Sequence, residues 1–347
     1  MKLPLAGLLP GEIADRLSLD PPYRGEQIFR WIHRGVRDFS SMTDLSADVR
    51  DRLTAGALVL ASTVQDSRAA PDGSVKLRIG LADGCAVEAM SLEDGTGRRT
   101  ACLSTQAGCA MGCVFCRTGL MGLKRNLTEA EIVEQLLHLE QGGTAVANIV
   151  FMGMGEPFGN WDAVRKSIAV LRHPAGRGMS PRRITVSTCG IPEGIRRLAA
   201  EGPDVKLAVS LVSADEKARQ TLMPVARTHG LAELKDALAA YQKARKHRIT
   251  LEVVLIAGRT DRDADLEAVK RFVPPLSVMV NLIPWNPAPE IDLQEPSAER
   301  VAWYKAGLER AGIPVTERMR KGRGVCGACG QLAVLEDGAD APDPGRG

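Results

Sequence analysis

From residue 100 onward the chain alternates apolar strand-like segments with helical ones, and this alternation constrains the fold more than any other feature of its 347 residues. The strand candidates are TACLST (100–105), ANIVFMG (147–153), RITVSTC (183–189), VKLAVSLV (205–212), ITLEVVLI (249–256) and SVMVNLIP (277–284). Helical segments such as LTEAEIVEQLLHLEQ and LAELKDALAAYQKARK lie between them. Thr128 with Glu131 makes a T-x-x-E capping box that fixes one helix start. Strands this apolar are buried on both faces, which predicts a parallel sheet. Six βα units are too few for a closed eight-fold barrel. The expected fold class is therefore α/β, a partial (β/α)6 barrel, with an open doubly wound sheet as the alternative. In both, the working residues belong at the C-terminal ends of the strands.

The rest of the chain divides by pattern. Residues 1–55 read as a small helical unit, with Ile28, Trp31 and Ile32 on one helix face and Ser46 as an N-cap. Residues 56–99 are β-rich, with turn signals at Asp72-Gly73 and Asp83-Gly84 that predict a short antiparallel extension. Residues 100–335 hold the barrel pattern. The tail, 336–347, has no apolar residue beyond alanine and is expected to be disordered. The N-terminal apolar run is broken by Pro4 and Pro10 and followed by Glu12 and Asp15, so it reads as the lead-in to a helix and not as a signal peptide. The longest uncharged stretches, Thr100–Cys116 and Val273–Pro289, are rich in Cys and Gly or in Pro, which argues against a membrane span and for a cytoplasmic protein.

Eight cysteines in such a chain point to metal or redox chemistry ahead of a disulfide framework. Cys109-Ala-Met-Gly-Cys113-Val-Phe-Cys116 has the spacing C-x3-C-x2-C and follows the first barrel strand. Three thiolates in a small-residue loop can hold a [4Fe–4S] cluster and leave one iron open, whereas structural zinc and electron-transfer clusters normally take four ligands. A zinc site with a borrowed fourth ligand, or three structural thiols, are the alternatives. Gly153-Met-Gly155-Glu156-Pro157 ends the second strand. Its backbone N–H groups and carboxylate suit the amino end of an amino-acid-like cofactor. Its spacing is wrong for a dinucleotide fingerprint. Ser187 and Ser210 end the third and fourth strands.

The cysteine spacing resembles the radical S-adenosylmethionine (SAM) superfamily. Further segments narrow the resemblance: Cys102-Leu-Ser-Thr-Gln-Ala-Gly-Cys109, Lys124-Arg-Asn-Leu-Thr, GMGEP, Val186-Ser-Thr, Asn281-Leu-Ile-Pro-Trp-Asn286 and Ala328-Cys329-Gly-Gln-Leu332. In order and spacing they are similar to the bacterial dual-specificity RNA adenine-C2 methyltransferases, whose relatives methylate adenine C8. The stretch 23–53 is also similar to that family's helical RNA-associated domain, so the resemblance runs from about residue 10 to 335.

The resemblance implies a [4Fe–4S] cluster on Cys109, Cys113 and Cys116. It implies two SAM molecules per turnover, with SAM contacts at Gly155, Glu156, Ser187, Ser210, Leu211, Val212 and Asn286. One SAM methylates Cys329; the other yields a 5′-deoxyadenosyl radical that takes hydrogen from that methyl group. Cys102 then forms a transient disulfide with Cys329 to release the product, and Glu88 matches the proton acceptor. The implied partners are ribosomal RNA, transfer RNA as a second substrate, and a low-potential electron donor such as flavodoxin, with no membrane. The chemistry makes independent sense. Adenine carbon 2 is electron-poor and cannot be methylated by displacement, while covalent methyl carriage and disulfide release need two cysteines outside the cluster.

Three positions depart from the family pattern. Val212 stands where the family has His, Gly324 where it has Asp, and Arg117 where it has Ser; Cys326 is an additional cysteine. Two alternatives stay open: a same-mechanism relative acting on adenine C8 or another RNA, and a non-catalytic iron–sulfur RNA-binding protein. The net charge of +3 gives no strong RNA signal. Arg177, Arg182 and Arg183, the run 243–248 and the run 318–323 are local basic groups. With 13 aromatic residues, made up of 6 Phe, 4 Trp and 3 Tyr, recognition of one base is favoured over extensive stacking.

Overall fold

The computed structural model describes residues 2–143, 145–318 and 321–334. The predicted disordered tail, 336–347, lies outside the described residues.

A short strand β1 (Leu3–Pro4) opens the chain, ahead of helix α1 (Pro10–Arg16), α2 (Arg24–His33) and α3 (Ala47–Gly56). It pairs in parallel with β2 (Ala57–Leu58), so the leading segment is stitched to the end of the helical unit before α1 begins. Ile28 and Ile32 of α2 are fully buried, as their spacing predicts. The three helices share one buried cluster with the rest of the molecule. Gly7 shows how close the fit is: a Cβ there would lie 2.5 Å from the backbone nitrogen of Ala130. Arg37 Nη2 donates to Leu137 O at 2.5 Å, and Lys166 pairs with Glu12.

The β-rich stretch forms β3 (Thr63–Ala69), β4 (Val75–Gly80) and β5 (Ala86–Glu93), joined in antiparallel register. Both predicted turns form, with Gly73 and Gly84 in the left-handed region at φ +81° and +85°. These strands are not a separate sheet. Strand β5 pairs with β6 (Arg99–Cys102), the first barrel strand, which sets Met90 beside Cys102.

A two-stranded ribbon follows, β7 (Gln106–Gly108) with β8 (Leu123–Asn126), enclosing the cysteine loop and the short helix α4 (Arg117–Leu120). The remaining parallel strands are β9 (Val146–Phe151), β10 (Ile184–Thr188), β11 (Lys206–Ser210), β12 (Ile249–Leu255), β13 (Val278–Pro284) and β14 (Val315–Glu317). The sheet order is 14-13-12-11-10-9-6-5-4-3, parallel from β14 to β6. All six predicted strands are present, and the sheet is open between β14 and β3. The short β14 is a seventh parallel strand that the sequence reading did not include.

The helices of the βα units are α5 (Glu129–Leu139), α6 (Trp161–Arg172), α7 (Pro192–Glu201), α8 (Glu216–Leu222), α9 (Leu231–Arg245), α10 (Asp263–Phe272) and α11 (Ala298–Arg310). Thr128 caps α5 as expected: its hydroxyl accepts from Glu131 N, and the Glu131 side chain accepts from Thr128 N. Strands β12 and β13 set Leu251 beside Val280 and Val253 beside Leu282, all fully buried. Among the described residues no helix is long and apolar enough to cross a membrane.

Candidate active site

The parallel strands β6 and β9 to β14 deliver their C-terminal ends to one edge of the sheet, and predicted site residues gather there. Cys109, Cys113, Cys116, Gly155, Glu156, Ser187, Ser210 and Cys329 line one cavity that opens to solvent. Cys102, Asn286 and Thr118 line an adjoining cavity. Cys116, Cys329, Met152, Gly153 and Arg318 belong to both walls.

The cysteine loop is held from several sides. Gly108 (φ +81°) lets the chain turn against Gly122; a Cβ there would lie 1.9 Å from Gly122 O. Cys109 N donates to the same carbonyl at 2.9 Å. Val114 N donates to Leu222 O at 3.0 Å, and Trp285 Nε1 to Phe115 O at 3.0 Å. Burial pushes the Cys109 thiol up to about 11 and raises Cys113 further, with Cys116 and Cys109 adding to the shift at Cys113. Thiols in this setting ionise when a metal takes the charge. A donor set of three thiols on one cavity wall fits an iron–sulfur cluster with one iron left open.

Glu156 is buried where the GMGEP turn meets β10. Its carboxylate accepts from Phe158 N at 3.0 Å and Cys189 N at 2.7 Å, and burial raises its pKa. Two acceptor oxygens leave capacity for a further donor from a ligand. Gly155 (φ +99°) passes Gln106 so closely that a Cβ would come within 2.6 Å of it. Ser210 stands directly across from Glu252 in the β11–β12 register. Asn286 donates from Nδ2 to Cys329 O at 3.2 Å, while its buried Oδ1 has no partner. An orphaned acceptor at the cavity wall is a position for a ligand donor.

Leu211 and Val212 are fully buried and line neither cavity. Val212 sits at φ +61°, a strained region for a β-branched side chain, and its N–H donates to Glu252 O at 3.0 Å. Glu88 also lies behind the wall. Its carboxylate pairs with buried Lys76 at 2.8 Å and accepts from Ala333 N at 3.0 Å, four residues beyond Cys329.

Cys102 and Cys329 face one cavity as free thiols; the disulfide implied by the resemblance is not formed. Burial pushes Cys102 up to about 12. At Cys329 burial raises the pKa and Arg318 pulls it down. Arg318 follows β14, and its own pKa is raised by Cys329, Glu252 and Cys102. The sequence reading counted it only as part of the local basic run 318–323. Its position one residue past a strand end was the missing signal, hidden because β14 has only three residues.

The leading helices and the barrel also match known proteins. Residues 103–270 match the radical SAM superfamily, and residues 19–59 the ribosomal RNA large subunit methyltransferase N-terminal domain. The probable dual-specificity RNA methyltransferase RlmN of Treponema denticola is 46% identical over 332 residues, 95% of each chain. The dual-specificity RNA methyltransferase RlmN of Sorangium cellulosum is 39% identical, covering 90% of each. The crystal structure of a radical SAM methyltransferase from Sphaerobacter thermophilus superposes with a TM-score of 0.91 at 39% identity, over 95% of this chain and 99% of that one. A cysteine loop at the rim of an open parallel barrel, a second cysteine pair beside it and relatives matched over nearly their whole length lead to one assignment: the chain belongs to the RlmN family of radical SAM methyltransferases.

Proposed function

We propose that this SAM-dependent RNA methyltransferase places a methyl group on carbon 2 of an adenine in 23S ribosomal RNA, with transfer RNA as a second substrate. The observation that carries the reading is the place of Cys329, on the wall between the cavity of the cluster cysteines and the cavity it shares with Cys102.

Cys109, Cys113 and Cys116 would hold the [4Fe–4S] cluster, and Glu156, Gly155, Ser187, Ser210 and Asn286 would hold SAM. When bound, the two together supply a 5′-deoxyadenosyl radical. Cys329 takes its methyl group by displacement from one SAM and loses a hydrogen atom from that methyl group in the cycle of the second. The resulting methylene radical on Cys329 would add to the adenine carbon, and the adduct would give up one electron, to the cluster when bound, and its carbon-2 proton to Glu88, which is tied to the Cys329 loop through Ala333. Cys102 attacks the Cys329 sulfur and frees the methylated base, leaving a transient Cys102–Cys329 disulfide. Residues 19–59 contribute to RNA binding, and a low-potential donor such as flavodoxin supplies electrons.

The test is an anaerobic assay of reconstituted protein with labelled SAM and dithionite on defined RNAs, followed by nucleoside analysis. The expected product is 2-methyladenosine, abolished by Cys329→Ala. Exclusive formation of 8-methyladenosine would move the target. Methylation that persists in Cys329→Ala would overturn the carrier role.

A further inference from the structure

Arg117 immediately follows the last cluster cysteine, and its side chain is 4% exposed. It points away from the cavity of the cluster cysteines and toward two other segments. Nη1 donates to Gln331 O at 3.2 Å, in the loop that carries Cys329. Nε and Nη2 donate to the two carboxylate oxygens of Glu290 at 3.1 and 2.7 Å, the bidentate geometry that fixes a guanidinium in one plane. Its backbone N–H donates to Gly330 O at 2.9 Å, and Thr118 Oγ1 to Leu332 O at 2.5 Å. The third segment is tied back in turn, because Gln331 Nε2 donates to Pro287 O at 2.8 Å.

We propose that Arg117 is a positioning residue that locks the Cys329 loop onto the cysteine loop, with Glu290 holding its guanidinium in plane. The proposal rests on the reading of Cys329 as methyl carrier. The physical argument is one of geometry. Residues 327–333 have no regular secondary structure of their own, so the place of Cys329 is set by the bonds its neighbours make. Three consecutive carbonyls, at 330, 331 and 332, are taken by Arg117 and Thr118. A lysine could keep the charge at 117 but not the two-pronged contact with Glu290. The clamp is therefore specific to arginine, and it holds Cys329 at a fixed distance from the cluster cysteines without touching either substrate.

The test compares Arg117→Ser, Arg117→Lys and Glu290→Gln in anaerobic holoprotein. The first readout is the rate at which iodoacetamide alkylates Cys329, resolved by mass spectrometry with Cys85 as internal control. The second is 5′-deoxyadenosine formed per methylated adenine. Arg117→Ser is expected to speed Cys329 alkylation about tenfold, the scale of one lost charge-assisted hydrogen bond. It is also expected to raise the ratio of 5′-deoxyadenosine to methylated adenine several-fold, with iron content unchanged. Arg117→Lys should recover part of both effects, and Glu290→Gln, which keeps Arg117 but weakens the hold on its guanidinium, should show both more weakly. Unchanged alkylation in Arg117→Ser and Glu290→Gln overturns the clamp, and so does loss of iron as the only effect. Alkylation reports on the loop without turnover, so a failed clamp is distinguishable from a failed carrier assignment, which Cys329→Ala tests on its own.

Discussion

Replacing Arg318 with methionine should slow the reaction of Cys329 with an electrophile, and replacing Glu252 with glutamine should speed it. Burial raises the Cys329 thiol, the Arg318 cation opposes that rise and Glu252 adds to it. An opposite charge close by moves a titrating group by roughly one to three pH units. Glu252 sits beside the same guanidinium and offsets part of its field. The thiolate is the reactive species, and each unit of rise cuts its population about tenfold below the midpoint. The remaining thiolate is a better nucleophile, with a Brønsted coefficient near 0.4–0.5, which returns about threefold per unit. The net expectation is alkylation slowed about three- to fourfold per unit of rise at fixed pH, with the midpoint of the pH–rate curve moved up. Glu252→Gln should move that midpoint down. The assay is iodoacetamide labelling of anaerobic holoprotein across the alkaline range, read at Cys329 by tandem mass spectrometry, with Cys326 in the same peptide as control. An unmoved midpoint in Arg318→Met, or movement of both variants in one direction, would refute the electrostatic account.

Two further outcomes follow from the same geometry. Gly108→Ala must push a Cβ into Gly122 O from a left-handed backbone, so iron bound per chain should fall by more than about half; full iron loading of the variant would show that the loop can turn without glycine. His33 is held near 4 by burial, with Arg177 and His173 adding to the shift, and its ring nitrogens have no partner. Its contribution to stability is therefore present above about pH 6.5 and lost as the pH falls toward 4, about 2 kcal/mol of it between pH 7 and 5. His33→Leu should flatten the fall in urea midpoint over that interval by a matching amount, and an equal fall in both proteins would count against the assignment.

The six long barrel strands were legible because apolar runs bounded by helical periodicity leave few alternatives, and the T-x-x-E pattern located α5 to the residue. The cysteine loop was legible from spacing alone. Three things were not. Strand β14 is three residues long, and two of them are exposed, so no periodicity marks it. Arg318 could not be told apart from the rest of its basic stretch until the end of β14 placed it on the cavity wall with Cys329. Leu211 and Val212 enter the cofactor set only through the family resemblance, and that the chain bends at Val212 and buries both side chains was not legible. Spacing along a strand says which residues reach the rim; it does not say which way a residue past the last ladder bond will face.

The seating of the first three helices has a consequence for how such an enzyme can diversify. Gly7 lies against α5, Arg37 is bonded to Leu137 O, and Phe29 and His33 crowd Gly176, where a Cβ would come within 2.6 Å of the Phe29 ring. The leading unit is thus keyed to the outer helices and loops of the barrel like a part cut to one housing. Grafting the corresponding segment from a relative would leave mismatched surfaces at each of these points. Changes in RNA choice along this lineage are therefore expected to arise by point substitution on exposed faces, or by joint drift of both halves of the joint, and not by shuffling a ready-made module.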